Sequence, residues 1–132
     1  MAGITTNQGQ AYIAEAVYKK LGLDLAMGLF TNNAGLSVSS VWANITQPTG
    51  GGYAEKSLVA ATFTVAAGGV TTYPVQTWTA SGSSISPEVY GYYIRTVEGT
   101  PRLLHFEFNS GARTITDGDV YTVDLSTDTE NV

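Results

Sequence analysis

Hydrophobic and polar residues alternate along much of the chain with a period of two, the pattern of β-strands whose two faces differ in burial. The densest runs of aromatic and β-branched residues lie at residues 89–97 and 103–108. A short segment containing Gly99 and Pro101 separates them. Two such runs joined by about four residues with turn chemistry predict a β-hairpin, which we expect to be the centre of one sheet.

The same alternation assigns the side chains of the hairpin to two faces. In the first strand it places Tyr90 and Tyr92 on one face. In the second strand it places Leu104 and Phe106 on one face and His105 on the other. His105 is the single histidine of the chain, and we expect it to be a surface or interface residue.

One amphipathic helix is predicted near the N-terminus, at about residues 7–21. Ile13, Val17 and Leu21 recur at every fourth position and would form one apolar stripe. Gly22 follows as a stop signal.

The other alternating runs predict about seven strands separated by Gly-rich turns, one of them at residues 109–112. Pro74 lacks the N–H that a central strand would use, so it marks an edge strand or a break. Strands at this spacing behind one helix predict a mainly β fold, an antiparallel β-sandwich, with a small β-barrel as the alternative. The predicted strands are residues 23–31, 57–65, 70–79, 89–97, 103–108, 113–116 and 120–125.

We expect a single domain over residues 1–132, because a chain of this length builds one core. The sandwich would occupy about residues 23–125. The polar, acidic tail at residues 126–132 is predicted to be mobile.

Charged residues make up 13% of the chain, about half the usual share, while Gly, Thr, Ser and Tyr are plentiful. Uncharged polar faces suit burial against other proteins, because burying Thr or Tyr is less unfavourable than burying Lys or Glu. The net charge of −5 argues against nucleic acid as a partner. No apolar run is long enough to cross a membrane and no secretory signal is evident, so we expect a protein made in the cytoplasm without a membrane partner.

Catalytic and metal-binding patterns are weak. The chain has no cysteine, and a single histidine does not build a metal cluster or a Ser-His-Asp relay. Asp117 and Asp119 flank a glycine, which favours a tight turn over a calcium site, since the full calcium-loop pattern is missing. No pair of glutamates is singled out for glycoside hydrolysis. We therefore expect no enzymatic activity and no cofactor.

Several short motifs occur in a recognisable order behind the predicted helix. They are Leu29-Phe30-Thr31-Asn32-Asn33, Gly52-Tyr53-Ala54-Glu55-Lys56-Ser57-Leu58, Tyr73-Pro74-Val75-Gln76-Thr77-Trp78, Val89-Tyr90-Gly91-Tyr92-Tyr93 and Thr116-Asp117-Gly118-Asp119. This order resembles small structural proteins in the virions of tailed bacteriophages. The resemblance implies a capsid cement (decoration) protein that binds and stabilises the head shell, or a small tail component, and it carries no catalytic residues.

The expected partners are therefore the major capsid protein or other virion proteins, and the expected location is the virion. The alternative function is a tail or receptor-binding component whose aromatic residues bind carbohydrate. A fragment of a carbohydrate-active enzyme ranks last, because no acid–base pair is identifiable.

Contacts with the partner are predicted in loops, since loops on a rigid scaffold commonly carry recognition. The Gly-rich loop is expected to be adaptable, so that its deletion would impair binding without altering stability. A homo-oligomer is also expected, preferably a trimer as the resemblance implies, with Tyr73 and Trp78 as interface residues. The loop candidates are Gln47, Pro48, Gly50, Gly51, Gly52, Tyr53, Ser81 and Ser84.

Overall fold

The computed structural model describes residues 24–58, 64–65, 70–72, 75–124 and 126–128. These residues form nine strands, all paired antiparallel, and one 3-10 helix at Trp42–Asn44. The mainly β, antiparallel architecture is confirmed, and the helix predicted at residues 7–21 lies outside the described residues. The strands are β1 (Leu25–Phe30), β2 (Lys56–Leu58), β3 (Thr64–Val65), β4 (Val70–Thr72), β5 (Gln76–Thr79), β6 (Ile85–Thr96), β7 (Leu103–Ile115), β8 (Val120–Val123) and β9 (Ser126–Asp128).

The largest sheet has four strands in the order β2-β1-β6-β7. Strands β6 and β7 are the predicted hairpin, with Tyr92 opposite Glu107 and Tyr93 opposite Phe106. The hairpin is thus confirmed, although only β6 is interior; among the described strands β7 forms an edge of the sheet. Strand β1 is buried at all six positions, because an interior strand that is covered on both faces carries apolar residues on both.

The main core lies between this sheet and the two-stranded sheet of β5 and β8. Leu25, Met27 and Leu29 of β1 pack there with Trp78 of β5 and Tyr121 of β8. Strands β3, β4 and β9 form a third sheet. The arrangement is sandwich-like, and the described strands do not close into a barrel.

The other face of the four-stranded sheet carries a second cluster, which we call the aromatic cluster. It is formed by the buried residues Phe30, Tyr93 and Phe106. The rings of Phe30 and Phe106 meet edge to face with their centroids 6.3 Å apart, an arrangement that aromatic pairs prefer. The sheet is therefore buried on both faces, by aliphatic and aromatic side chains on one and mainly aromatic side chains on the other.

Two of the three irregularities in the pairing of β6 with β7 correct the predicted faces of the hairpin. Leu104 is an extra residue in β7, since Ile94 lies opposite His105 whereas Arg95 lies opposite Leu103. A bulge of this kind shifts the period of two by one residue. Leu104 consequently packs against the main core and not, as predicted, with the aromatic residues of its strand.

The second irregularity lies where residues 109–112 of β7 face only Tyr90 of β6. We predicted a turn at residues 109–112, but they lie within one long strand that continues to Ile115. Because the alternation is broken here, Tyr90 packs against the aromatic cluster while Tyr92 joins the main core. The prediction that these two tyrosines share a face is wrong.

Two predicted strands are each split between two sheets, and part of the predicted tail forms a strand. Residues 57–65 contribute to β2 and β3, which belong to different sheets, and residues 70–79 contribute to β4 and β5 in the same way. Pro74, which was predicted to mark an edge strand or a break, lies outside the described residues. Ser126–Asp128 was predicted to be part of a mobile tail. It instead forms strand β9, which pairs with β4.

Candidate functional site

The connection between β1 and β2 holds most of the predicted contact residues, and it is far longer than an ordinary connection in a compact domain. It has two parts. We call residues 36–46 the valine segment and residues 47–55 the Gly-rich segment. Long, ordered connections of this kind commonly carry function, so both parts are candidates.

The Gly-rich segment is hydrogen-bonded to the loop that precedes β6. The Gly51 amide donates to Ser83 Oγ at 2.8 Å, and the Ser81 amide donates to the Gly51 carbonyl at 3.0 Å. Thr49 and Ser86 exchange two backbone hydrogen bonds of 2.8 Å each. The two loops that sequence analysis selected separately are therefore one hydrogen-bonded unit.

Gly51 lies at the centre of this unit and is buried. Its φ of +60° is a left-handed conformation that side chains disfavour, and an added Cβ would lie 2.8 Å from Ile85 Cγ1 and 2.9 Å from the Ser83 carbonyl oxygen. Only glycine satisfies both conditions. The expectation of an adaptable loop that can be deleted without loss of stability is therefore revised, because this loop is part of the folded structure.

A charged cluster fixes the far end of the Gly-rich segment to the sheet. Arg95 of β6 makes a bidentate ion pair with Glu55, with Nη2 2.7 Å from Oε1 and Nε 2.8 Å from Oε2. The Tyr93 hydroxyl donates to the same carboxylate, and the Arg95 guanidinium lies 4.9 Å from the centroid of the Trp42 ring. Burial alone would raise the pKa of Glu55, but the hydrogen bonds from Arg95 and Tyr93 outweigh it and hold the pKa below its ordinary value.

Tyr53 connects the Gly-rich segment to β1. Its hydroxyl accepts a 3.0 Å hydrogen bond from the Leu29 amide and donates a 2.8 Å hydrogen bond to Gln47 Oε1. Gly28 provides the space for this contact, since a Cβ there would lie 2.6 Å from the Tyr53 hydroxyl and would overlap the Tyr93 phenol. Gln47 and Tyr53, both predicted as contact residues, thus hydrogen-bond to each other, and Tyr53 also hydrogen-bonds to β1.

Trp78, a predicted interface residue, is only 3% exposed and belongs to the main core. Its indole N–H donates to the Ala54 carbonyl at 2.9 Å. We therefore remove Trp78 from the contact surface, because its ring is already covered within the chain. Tyr73 lies outside the described residues. Among the other predicted contact residues Pro48 and Gly51 are buried, Gln47, Tyr53 and Ser84 are half-buried, and Gly50, Gly52 and Ser81 are exposed.

The valine segment differs from the Gly-rich segment, because it presents apolar side chains to solvent. Val38 and Val41 are 67% and 57% exposed. The backbone around them is nevertheless ordered: the Asn32 side chain donates to the Asn44 carbonyl at 2.8 Å and accepts from the Thr46 amide at 2.9 Å. This segment holds exposed apolar groups in a defined conformation.

Sequence analysis did not select the valine segment as a contact site. Its residues show no clear alternation, and we gave greater weight to the three consecutive glycines that follow. The available signal was a run without any charged residue in which Val38 and Val41 stand among serines. Exposure of such residues depends on how the connection folds back on the sheet.

His105 lies on the opposite face of β7 from Phe106, as predicted, but that face is the side of the main core. Its Nε2 is 3.4 Å from the Tyr92 hydroxyl, and the two rings lie 5.8 Å apart. The residue is half-buried, and burial lowers the pKa of His105 to about 4. Of the two predicted positions for His105, surface or interface, a freely solvated surface position is corrected: at neutral pH this side chain is an uncharged, packed residue.

Two carboxylates considered for metal binding, Asp117 and Asp119, have structural contacts. Asp119 Oδ2 accepts hydrogen bonds from the amide and hydroxyl of Thr116, as expected for the predicted turn. Asp117 Oδ1 accepts from the Gly82 amide at 3.0 Å. Within the described ranges, no group of three or more His, Asp or Glu side chains is arranged to hold a metal ion. No helix among the described residues is long and apolar enough to cross a membrane.

Comparison of the chain with known protein families, with curated proteins and with solved structures found no significant match.

Proposed function

We propose that the protein is a non-enzymatic structural component of a tailed-bacteriophage virion, and that it binds the assembled head as a decoration protein. The observation that supports a binding role is the valine segment, in which Val38 and Val41 are 67% and 57% exposed on an ordered backbone. The order of sequence motifs supports the assignment to a virion.

The contact that we propose is apolar and pre-organised. The valine segment contains no ionisable side chain, so a partner that covers it has no charge to desolvate. Hydrogen bonds from Asn32 already hold its backbone, and a pre-organised loop loses less conformational entropy on binding. Both properties favour attachment to a lattice that is itself already folded.

The complete fold in this proposal is an antiparallel sandwich covered by the N-terminal helix at residues 7–21. The proposed assembly is a homo-oligomer, with a trimer preferred, on the capsid surface. Binding to the assembled lattice and not to free subunits stabilises the shell by mass action.

The test uses purified virions of the phage that encodes this chain. We expect hundreds of copies per particle, and we expect particles that lack the protein to release their DNA at a lower temperature. Adding purified protein back to such particles should restore their heat resistance. A few copies per virion, or particles whose heat resistance does not depend on the protein, would contradict the decoration function.

A second candidate, a tail or receptor-binding component that binds carbohydrate, is favoured by the rings at the margin of the aromatic cluster. Trp42, Tyr90 and Phe108 pack against this cluster but remain half-buried, and aromatic rings at a surface can stack on sugars. Binding of the isolated protein to polysaccharide from the host surface, abolished by Tyr90→Ala, would support this function over decoration. Virion adsorption that is unchanged by Tyr90→Ala and Trp42→Ala would exclude it.

A further inference from the structure

Arg95 of β6 contacts both segments of the connection between β1 and β2. Its guanidinium is paired with Glu55 of the Gly-rich segment through two nitrogen–oxygen contacts of 2.7 and 2.8 Å. The same guanidinium lies 4.9 Å from the centroid of the Trp42 ring, which belongs to the valine segment, and this distance is within the range of a cation–π contact. One side chain of the sheet therefore joins the two segments.

The guanidinium of Arg95 is held in a defined orientation. In addition to the ion pair with Glu55, its Nη1 donates to the Thr96 carbonyl at 3.1 Å. The Arg95 side chain is only 18% exposed, so the group is largely removed from solvent. A bidentate pair with a carboxylate fixes the plane of a guanidinium, which a lysine ammonium does not possess. Arg95 thus presents a fixed, planar cation to the Trp42 ring.

Trp42 has a second neighbour in β6. Its ring centroid lies 5.1 Å from that of Tyr93, with 53° between the ring planes, and the half-buried Trp42 packs against the aromatic cluster. The Tyr93 hydroxyl and the Arg95 guanidinium both donate to Glu55. The two residues that hold the Trp42 ring are therefore themselves held by the same carboxylate of the Gly-rich segment.

The exposed Val41 directly precedes Trp42 in a closed turn. The Asn44 amide donates to the Val41 carbonyl at 2.9 Å, and the Val41 amide donates to Asn44 Oδ1 at 2.8 Å. Because one peptide unit joins Val41 to Trp42, a displacement of the Trp42 ring from the sheet would move this turn as a whole. The position of the 57% exposed Val41 side chain is thus linked to the contact between Trp42 and Arg95.

From these contacts we infer that Arg95 is a positioning residue for the valine segment. Held by Glu55, it keeps the Trp42 ring on the sheet and so fixes Val41 in its exposed orientation. The Gly-rich segment consequently takes part in binding indirectly, since it holds the residue that positions its neighbour. The effect of Arg95 on particle binding rests on the proposed function, whereas its effect on the order of the valine segment does not.

The first test measures the order of the valine segment in the isolated full-length protein by NMR relaxation. Arg95→Lys keeps the positive charge but loses the planar, bidentate guanidinium. Trp42→Leu keeps an apolar side chain at the aromatic cluster but removes the ring. We expect backbone order parameters of about 0.85 at Val38 and Val41 in the original protein, and below about 0.6 in either variant. The buried Ala26 of β1 should keep its value throughout.

Lys56→Met is the matched control, because the Lys56 ammonium lies 5.7 Å from the centroid of the other tryptophan ring, Trp78. This variant removes a cation–π contact outside the valine segment and should leave the order of that segment unchanged. Unfolding midpoints in urea show that each variant is folded, and Trp42→Leu provides the test if Arg95→Lys does not fold. An unchanged segment in Arg95→Lys and Trp42→Leu, or an equal loss of order in Lys56→Met, would overturn the inference.

The second test asks whether Arg95 acts on particle binding through Trp42. If the ordered segment is the form that binds, Arg95→Lys and Trp42→Leu should each raise the dissociation constant by about three- to tenfold. The double variant should bind no more weakly than the weaker single variant, because both changes remove the same contact. Additive losses would show that the two residues act independently and would contradict the positioning role.

The two tests distinguish failure of the inference from failure of the proposed function. An original protein that does not bind particles would contradict the proposed function, while loss of order in Arg95→Lys and Trp42→Leu would still support the positioning role. Normal particle binding by variants whose valine segment has lost its order would overturn the role of Arg95 in binding and leave the decoration function in place.

Discussion

The valine segment and the Gly-rich segment of the connection between β1 and β2 both contact the sheet, but they present different surfaces to solvent. The Gly-rich segment is hydrogen-bonded to the loop before β6 through Gly51, and Glu55 ties it to the sheet through Arg95. The valine segment also packs on the sheet, through Leu36, Trp42 and Ile45 against the aromatic cluster, but it exposes Val38 and Val41. Both segments are thus part of the fold, and the segment without consecutive glycines is the one that presents exposed apolar side chains.

This comparison teaches that consecutive glycines do not by themselves indicate a mobile or a binding loop. Glycine is required wherever backbones approach closely or adopt positive φ, and both occur at Gly51. A surface available to partners is instead found where side chains have no partner within the fold. The predictions below test this division of roles, beginning with the largest expected effect on stability.

The largest effect is expected for Gly51→Ala. The new Cβ would meet Ile85 and Ser83 at 2.8–2.9 Å in a backbone of positive φ, and we expect a loss of about 2–4 kcal/mol in the free energy of unfolding, measured with urea. Gly52→Ala is the control, since Gly52 has a φ of +75° but no atom within 4 Å of its added Cβ. It should show the backbone strain alone, about 1 kcal/mol. Equal losses in the two variants would show that the segment is not packed at Gly51.

A second prediction concerns the ion pair at the end of the Gly-rich segment. Arg95→Met removes the partner of Glu55, whose side chain is only 22% exposed, and should lower the free energy of unfolding at pH 7 by about 2 kcal/mol. Arg102→Met is the matched control, because Arg102 is 74% exposed and lies 3.8 Å from Glu98; its loss should be below about 0.5 kcal/mol. Comparable losses would contradict a structural role for Glu55.

The ion pair of Glu55 with Arg95 should also affect how the stability of the protein depends on pH. The pKa of Glu55 is lowered in the folded protein, so its contribution is present above the unfolded value of about 4.5 and is lost as the pH falls through the folded value. Arg95→Met should therefore flatten the decline of stability below pH 4.5. Urea unfolding of the original protein and of Arg95→Met between pH 5 and pH 3 measures this difference in the free energy of unfolding.

The third prediction is that lowering the pH reduces the stability of the fold through His105 but leaves binding by the valine segment unchanged. The pKa of His105 falls from an ordinary value of 6.5 to about 4 on folding, so the unfolded chain binds a proton first. Stability should decline as the pH drops from about 6.5 to about 4, by roughly 1–2 kcal/mol for a half-buried residue. His105→Gln should remove this part of the decline. Since the valine segment has no ionisable side chain, binding to particles should stay constant down to about pH 5.

The smallest effect on stability is expected in the valine segment. Val38→Ser and Val41→Ser replace exposed side chains and should change the free energy of unfolding by less than about 0.5 kcal/mol. If the proposed function is correct, the double variant should nevertheless fail to bind particles in a sedimentation assay. Val75→Ser, at a position 51% exposed elsewhere, should bind normally. Full binding by the double variant would place the contact outside the valine segment.

Much of the fold could be predicted from local pattern. The alternation in residues 103–108 and the turn residues before it predicted the hairpin of β6 and β7, because a period of two and turn chemistry are local properties. The turn at residues 117–119 was predicted for the same reason. The local pattern did not predict the bulges at Leu104 and at residues 109–112, since a bulge is defined only by the strand opposite.

The candidate site depended far more on tertiary structure. The sequence by itself determined that Gln47 to Tyr53 form a connection with special backbone requirements, and that the chain has few charges to present to a partner. Only the tertiary structure decided that Gly51 and Trp78 are interior while Val38 and Val41 are exposed. The physical reason is that conformational preference is set by each residue and its neighbours in sequence, whereas burial is set by contacts between residues distant in sequence, such as Trp78 with Ala54.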